Sequence, residues 1–331
     1  MKSTTKQIVQ FLIFLAIGAS VFFLLYKDQD WGQMGKILSQ ADFKWIWLSL
    51  FFGVISHWAR GQRWKMLIET AGGHVKWHHT LMAVFIGYLA NMVLPRMGEV
   101  TRCGVLSKYK HLPFAMLAGT VVAERLVDLG CLLLVVLSAF VIEFDVLHGF
   151  MAKNVNFIWI LDLFTSVWWW IFVSGLVVLV WYLLRRAVQM SVFRRFKGIW
   201  ANFKEGFRSV KTMQSKTKFL LYSVTIWAMY FLMQYTCFFA MDETAPLGPT
   251  VALVLLATGS IGMLAPVQGG VGTWHGMVIA TLALYGVTSD PAYAFALLVH
   301  GAQNLMIVVV GLASLLLFPL LNPVQKNQVE T

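Results

Sequence analysis

Residues 80–102 read TLMAVFIGYLANMVLPRMGEVTR, an apolar run that stops at Pro95. Residues 250–275 read TVALVLLATGSIGMLAPVQGGVGTWH, and this run stops in the same way at Pro266. Proline and glycine end helices, so each stretch predicts a helix, a glycine-containing turn and a second, shorter segment. The two stretches therefore resemble interrupted helices, and the rest of the chain decides how they are used.

The composition assigns the chain to the membrane proteins. Of its 331 residues, 59% are hydrophobic and 12% are charged, whereas an ordinary soluble domain has roughly 45–50% and roughly 25%. A soluble protein of this size could not bury so much apolar surface. The alternating strands of about ten residues that form membrane β-barrels are absent from the sequence. Secreted, fibrous and disordered chains are excluded, and an all-α integral membrane protein is predicted.

Six other apolar stretches are long enough to cross a hydrocarbon core of about 30 Å, which takes roughly 20 residues. They cover residues 7–26, 43–64, 124–143, 167–184, 219–240 and 292–318. Basic segments stay on the cytoplasmic side of a membrane. Segment 185–218 holds ten basic residues against one acid, and segment 60–79 is also basic, whereas segment 143–166 is acidic. We expect the first two inside and the third outside.

Counting crossings then requires two re-entrant hairpins. A full crossing at 80–95 would put the acidic segment inside and the strongly basic segment outside, against the charge rule. The charge rule is satisfied if residues 80–112 enter the membrane from the cytoplasm and return there, and if residues 250–290 enter from the outside and return there. The sequence thus predicts six full transmembrane helices plus two oppositely oriented re-entrant helical hairpins. The protein would be multi-pass in the cytoplasmic (inner) membrane, with both termini cytoplasmic.

The same count predicts an inverted-topology repeat within a single transmembrane domain, residues 1–331. The halves, about 1–150 and about 160–320, each hold three spans and one hairpin, so they must have opposite orientations. Weak sequence similarity agrees, because Asn91-Met-Val-Leu-Pro95 matches Gly262-Met-Leu-Ala-Pro266. Inverted repeats with broken helices are typical of transporters. Two proline-kinked packing helices remain the alternative.

Charged residues at the first hairpin tip indicate an anion site. Arg96, Glu99 and Arg102 are three residues apart, so on a helix they share a face. A charge at bilayer depth costs at least roughly 2.5–3.5 kcal/mol, so such groups are normally paired or functional. Arginine suits a phosphate because its planar fork binds two oxygens and stays charged. The alternative is a cytoplasmic loop whose charges only follow the charge rule.

A second charged group follows at Glu124, Arg125 and Asp128. The two carboxylates are one helical turn apart, with the arginine between them. We expect Arg125 to join the phosphate-binding residues, and Glu124, Asp128 and Glu99 to balance charge or bind a coupling proton or sodium ion. The start of a helix at the membrane interface is the alternative explanation.

The second hairpin tip is polar and rich in glycine. Glycines let backbone N–H groups approach an anion closely, and a helix that starts near Thr273 would add its dipole. Polar side chains elsewhere are candidates to line the same cavity, although each also fits a hydrogen bond between helices. The hairpin candidates are Gln268, Gly269, Gly270, Gly272 and His275, and the cavity candidates are Asn91, His300, Gln303 and Asn304.

Other kinds of site are not expected. The histidines lack metal-ligand spacing, and no Walker loop or hydrolase motif is present, so we predict neither a metal nor a cofactor. Segment 185–218 mixes basic and aromatic residues, which is typical of an amphipathic helix on anionic lipid headgroups. A nucleic-acid partner is not expected.

The ordered motifs resemble one known family. They are Arg60 followed by Trp64 and Leu67, Asn91-x-x-Leu-Pro-Arg-x-Gly-Glu-x-x-Arg102, Glu124-Arg125-x-x-Asp128 and Pro266-x-x-Gly-Gly-x-Gly. Together they resemble the flippase-like family, the transmembrane region of lysylphosphatidylglycerol synthases, shared with archaeal proteins once labelled dolichol-phosphate glucose synthetases. The resemblance implies a protein that moves a lipid between leaflets or assists in doing so, and it adds Arg60 to the phosphate-binding candidates.

Two departures from the family pattern limit what carries over. Many members have an acidic residue after the Gly-Gly-x-Gly turn, where this chain has Trp274-His275. The synthases also carry a cytosolic aminoacyl-transferase domain, whereas this chain ends at Thr331, so lysine transfer is not expected. The prediction is a transporter of a phospholipid or polyprenyl-phosphate-linked lipid. The alternative is a membrane-embedded enzyme or accessory subunit of lipid-linked sugar or aminoacyl-lipid synthesis. Proton or sodium coupling and a homo-oligomer stay open.

Overall fold

The computed structural model describes most of the chain. It covers residues 18–146 and 212–322 without a break, together with single residues or short runs in 12–16, 148–149, 166–178 and 204–210. Every regular element of these residues is helical. Residues 18–26 of the expected span at 7–26 are described and are helical. The expected span at 167–184 and the basic segment 185–218 lie largely outside the described residues.

Short connections join the long helices within residues 31–142 and again within residues 216–321. In chain order they are α1 (Trp31–Gln40), α2 (Phe43–Thr70), α3 (Trp77–Val93), α4 (Gly98–Lys110), α5 (Phe114–Ile142), α6 (Lys216–Phe238), α7 (Pro249–Gly262), α8 (Thr273–Leu284) and α9 (Ser289–Leu321). A single 3-10 turn, Gln268–Gly270, lies between α7 and α8.

Helices α3 and α4 form the first hairpin. The ring of Pro95 keeps Leu94 out of the helical region, and Leu94 is extended at φ −131° and ψ 119°. Arg96 then takes a left-handed φ of 62°. Helix α4 starts only at Gly98, so the prediction that Arg96 shares a helix face with Glu99 and Arg102 is wrong. The proline that ends α3 also places Arg96 in the turn, before α4 begins.

Close backbone contact holds the first hairpin together. A Cβ atom added to Gly98 would collide with the carbonyl oxygen of Gly87 on α3. The Gly98 N–H donates to Asn91 Oδ1 at 2.6 Å, so α3 supplies a cap for the first turn of α4. Asn91, predicted to line a cavity, thus fixes the turn of the hairpin.

Helices α7 and α8 form the second hairpin in a similar way. Its turn needs glycine, because Gly269, Gly270 and Gly272 have φ of 56°, 77° and 86°. A Cβ atom on Gly262 would lie 2.9 Å from the Thr273 carbonyl oxygen, so small residues again allow the two helices to approach closely. Helix α8 begins at Thr273, as the sequence predicts.

Among the described residues, two larger hydrophobic cores lie toward opposite ends of α2 and α9, and a small third cluster joins α5 to α7 through Ala139, Val254 and Ala257. Helix α2 is antiparallel to α6, since Ser49 bonds the Met233 carbonyl and Arg63 bonds Ser223. The first core joins the start of α2, the end of α6, both helices of the second hairpin and the start of α9. The second core joins the end of α2, the first hairpin, the start of α5 and the end of α9. Representative residues are Ile46, Phe238, Leu255, Val278 and Phe295 in the first, and Leu67, Ala83, Leu106, Leu117 and Phe318 in the second.

The exterior of the helices is apolar. Leu134 is 66% exposed, Val141 72% and Leu320 74%. Exposed apolar surface on this scale marks contact with something other than water. Among the described helices, α5 and α9 are long and apolar enough to span a membrane. The count of six crossings stays a prediction.

Helix α2 has the length of a span but interrupts its apolar sequence with charges. It runs for 28 residues and carries Arg60 and Arg63, which are 3% and 0% exposed. The charge count includes both arginines in the basic segment 60–79 and the span prediction includes them in 43–64, and in the structure both side chains are buried between helices. Packing against other helices, not position in a loop, therefore explains these two charges.

Candidate functional site

A buried ion cluster joins α2 to α5. Glu124 and Asp128 face inward from α5, one turn apart, and meet Arg60 of α2. Arg60 Nη1 donates to Glu124 Oε1 at 2.8 Å and to Asp128 Oδ2 at 2.6 Å. Arg63, one turn further along α2, donates from Nη2 to Asp128 Oδ1. The matching spacing on two antiparallel helices lets two arginines hold two carboxylates.

Helix α4 brings a third arginine to the cluster. Arg102 Nη2 lies 3.1 Å from Glu124 Oε2. Its guanidinium sits 4.5 Å from the ring centre of Trp64, a cation–π contact. The Trp64 indole in turn donates to Thr120 Oγ1 at 3.0 Å. The first hairpin is thus tied to α2 and α5 through a charged side chain.

Arg125 is held more loosely than the other three arginines. Its side chain is 43% exposed, whereas those of Arg60, Arg63 and Arg102 are 0–4% exposed. Its nitrogens lie 3.5 Å from Glu99, 3.7 Å from Asp128 and 3.9 Å from Glu124. Arg125 therefore forms the accessible edge of the cluster.

The cluster has more positive than negative charge. Four arginines face three carboxylates, which leaves one excess positive charge among the seven residues (four minus three). The Nε donors of three of these arginines have no hydrogen-bond partner among the described residues. Donors exceed acceptors, so the cluster favours an anion. The members are Arg60, Arg63, Arg102, Arg125, Glu99, Glu124 and Asp128.

A cavity of about 510 Å³ lies beside the cluster. It is lined by the middle turns of α2, α5, α6 and α9 and by the second hairpin. Arg60, Arg125 and Asp128 border it on the cluster side, and many of its other walls are apolar. The volume lies within the range of small-molecule sites. Charged and apolar walls together suit an amphiphile.

Aromatic and polar side chains of α8 and α9 also line the cavity. His300 lies 2.9 Å from the Gly269 carbonyl oxygen through Nε2, and its ring stacks on Trp274 at 4.9 Å. Asn304 Nδ2 is 3.3 Å from the His300 ring nitrogens. His275 lies outside the cavity lining and accepts from the Gly272 N–H at 3.2 Å. The Gly272 N–H therefore already has a hydrogen-bond partner within the turn.

The tips of the two hairpins bond each other reciprocally. Arg96 Nη2 donates to the Leu264 carbonyl at 2.8 Å, and Gln268 Nε2 donates to the Val93 carbonyl at 3.1 Å. Each accepting carbonyl lies two residues before the hairpin proline. Helix ends leave carbonyls unsatisfied, so each hairpin supplies a donor that the other needs.

The predicted residues thus fall into three places. Those beside the cavity are Arg60, Arg125, Asp128, His300, Gln303 and Asn304. Those in the adjoining cluster are Glu99, Arg102 and Glu124, whereas Arg96, Asn91, Gln268, Gly269, Gly270, Gly272 and His275 build the hairpin turns.

Sequence reasoning misses Arg63 and several aromatic and polar residues of the cavity. Arg63 lies three residues after Arg60, so the two share a helix face, and this spacing could have identified Arg63 as a member of the site. Trp227, Tyr230 and Gln234 also share one face of α6 and line the cavity. An apolar helix with polar residues at this spacing indicates such a face.

Every regular element that the structure describes is helical, and an apolar exterior around a buried ion cluster is typical of an integral membrane protein. The chain belongs to the family of the lysylphosphatidylglycerol synthase TM region, whose model matches residues 8–311. The resemblance read from the motifs is confirmed.

Two archaeal proteins are similar over most of their length. UPF0104 membrane protein MJ1595 of Methanocaldococcus jannaschii is 24% identical, with 96% of this chain and 95% of that protein covered. UPF0104 membrane protein PH1989 of Pyrococcus horikoshii is also 24% identical, over 86% of this chain and 90% of that protein. No solved structure matches the chain.

Proposed function

We propose that the protein carries an anionic lipid between the two leaflets of the cytoplasmic membrane. The headgroup would enter the cavity while the acyl or isoprenoid chains stay in the bilayer. The observation that carries the proposal is the excess positive charge of the cluster at the wall of a largely apolar cavity. Membership of a family named for a lipid synthase region supports a lipid ligand.

The lengths of the hairpin helices support a re-entrant arrangement. Helix α3 has 17 residues and α7 has 14, about 26 Å and 21 Å at 1.5 Å per residue. A crossing needs about 30 Å. Non-helical backbone at membrane depth is tolerated where it is buried in protein or lines a cavity. The two turns contact each other, and Leu264 borders the cavity, as expected for opposed hairpins of a transporter.

Arg60 and Arg125 are the arginines that border the cavity. We assign them to the lipid phosphate, because a guanidinium binds phosphate oxygens bidentately. Arg102, which does not line this cavity, would act at longer range through Glu124. Arg96 would act at the hairpin tips instead of on the phosphate.

The carboxylates would tune the site. Glu124 and Asp128 hold three buried arginines in place, and Asp128 also borders the cavity. A phosphate that binds the arginines competes with these carboxylates. The released carboxylate would take up a proton or a sodium ion, so that binding of the phosphate is coupled to binding of the ion. Exchange of the contacts between the hairpin tips would change which side of the membrane the cavity faces.

Reconstituted liposomes test the proposal. The protein is reconstituted into liposomes with lipids that carry a fluorescent label on an acyl chain. Dithionite then bleaches the label in the outer leaflet, and the flip rate is measured with and without a proton or sodium gradient. Arg125→Ala should reduce the flip rate at least tenfold, since it removes the accessible cation. Lys108→Ala, an exposed charge on α4, is the control. Unchanged rates in Arg125→Ala would eliminate the phosphate site.

A further inference from the structure

Two lysines lie at the open end of the first hairpin, opposite its tip. Lys76 immediately precedes α3, and Lys110 is the last residue of α4. Partial burial and the positive charges of both lysines lower the pKa of His78, so the two lysines lie close to that ring. The open end of the hairpin is therefore a compact basic group, formed by Lys76, His78 and Lys110.

This basic group has no acidic partner among the described residues. The acids that come nearest in the sequence are paired elsewhere, since Glu69 meets Lys65 at 2.7 Å and Glu99 meets Arg125 at 3.5 Å. The acidic residue of α9, Asp290, lies at the far end of that helix. Like charges that no carboxylate balances repel each other and attract an anion.

The end of α9 packs against the same end of the hairpin. Lys110 Nζ donates to Oδ1 of Asn322, the residue that follows α9. The rings of His79 and Tyr109 contact the Phe318 ring, with centroid distances of 6.1 and 5.3 Å. The basic group therefore lies where α3, α4 and α9 meet.

An exposed apolar surface adjoins the basic group. The last two turns of α9, which end beside Asn322, expose the side chains of Leu316, Leu317, Leu320 and Leu321. Trp77, the first residue of α3, is also exposed. Tryptophan is enriched where the hydrocarbon core of a membrane meets the headgroups, and lysines reach from helix ends to the same level. A ligand of this region therefore has an anionic part and an apolar part.

We infer that the open end of the first hairpin binds a membrane phospholipid with an anionic headgroup. The headgroup phosphate would lie at Lys76 and Lys110, and the acyl chains would lie along the exposed leucines of α9. None of these residues lines the central cavity, so the lipid would be a bound companion of the protein and not its cargo. The inference does not depend on the proposed transport. Free phosphate shares the headgroup chemistry but lacks the chains.

Thermal unfolding of the purified protein in detergent micelles tests the inference. A ligand that binds the folded state raises the unfolding midpoint as its concentration rises, so a titration gives an apparent affinity. The probes are phosphatidylglycerol, phosphatidylcholine with the same chains, and inorganic phosphate. We expect phosphatidylglycerol to raise the midpoint more than either of the others. An equal rise with phosphatidylcholine, which has no net charge, or with inorganic phosphate, which has no chains, would overturn the inference.

Variants link the binding to the two lysines. Lys76→Gln and Lys110→Gln should each reduce the apparent affinity for phosphatidylglycerol about 5-fold, the contribution expected from one basic residue beside anionic headgroups. Lys108→Gln is the matched control, because Lys108 is exposed and lies two residues from Lys110, on another side of α4. An unchanged affinity in both test variants would overturn the inference.

Arg125→Ala separates this site from the central cavity. Because that substitution removes the accessible cation of the cavity, the effect of Lys76→Gln on phosphatidylglycerol binding should persist when the two substitutions are combined. Loss of flipping in Arg125→Ala with the lysine effect retained would support both sites. Disappearance of the lysine effect in the Arg125→Ala background would place the bound lipid in the cavity and overturn the inference.

Discussion

Arg63 is fully buried and bonds both Asp128 and Ser223. Removing one partner of a buried ion pair leaves the other charge uncompensated, at about 3–5 kcal/mol. We therefore expect Arg63→Ala to reduce the free energy of unfolding by about that amount, measured by denaturation of the purified protein. Lys65→Ala, in the solvent-facing pair with Glu69, should cost no more than about 0.5 kcal/mol. Equal effects would contradict a structural role for Arg63.

Single residues of the site were predictable where spacing within one helix defines them. Glu124 and Asp128 are one turn apart and are both in the cluster, as expected. Arg63 and Gln234 were not identified, because their significance depends on contacts with residues that are distant in the chain. Arg63 meets Asp128 across 65 positions, and no local pattern records such a contact.

The first hairpin depends on close contact between two helices. Gly98→Ala would place a methyl group against the carbonyl oxygen of Gly87, and overpacking of this kind costs about 1–3 kcal/mol. Gly104→Ala, on the same helix with open space beside it, should be neutral or stabilising by up to about 1 kcal/mol. Thermal denaturation of both variants checks the prediction, and a stable Gly98→Ala variant would refute the packing.

The tip contacts of the hairpins make a prediction about motion. Arg96→Ala removes one of the two reciprocal hydrogen bonds, so we expect a broader distribution of distances between the tips. Electron paramagnetic resonance with spin labels at Val100 and Met263, both exposed, measures that distribution. Lys108→Ala serves as the control. A distribution unchanged by Arg96→Ala would show that the contact does not hold the tips together.

The sequence predicts where the helices of the hairpins end better than it predicts where the side chains beside those ends lie. Proline chemistry locates the ends of α3 and α7 within a few residues. The same chemistry does not reveal that Arg96 leaves the helix and reaches the Leu264 carbonyl. That partner belongs to the other hairpin, so its position depends on the packing of the whole molecule.

Among the described residues, each of the two larger hydrophobic cores surrounds one hairpin, and the cavity lies between them at the middle turns of the long helices. Composition predicts the helical membrane class, and the proline-terminated runs predict the hairpins. The six crossings and the opposite entry of the hairpins depend on loop charge, and part of that charge lies outside the described residues. Arg60 and Arg63, which the charge count includes in segment 60–79, are buried in ion pairs, and a buried ion pair carries charge without marking a side of the membrane.

The proposed transport mechanism requires the two hairpins to enter the membrane from opposite faces. Lys108→Cys, near the end of the first hairpin, and Ser289→Cys, just after the second, are made in a chain whose own three cysteines are replaced by alanine. Each is treated with a membrane-impermeant maleimide from either side of sealed vesicles. Hairpins of opposite orientation should make the two cysteines react from opposite faces. Reaction of both from the same face would contradict that orientation.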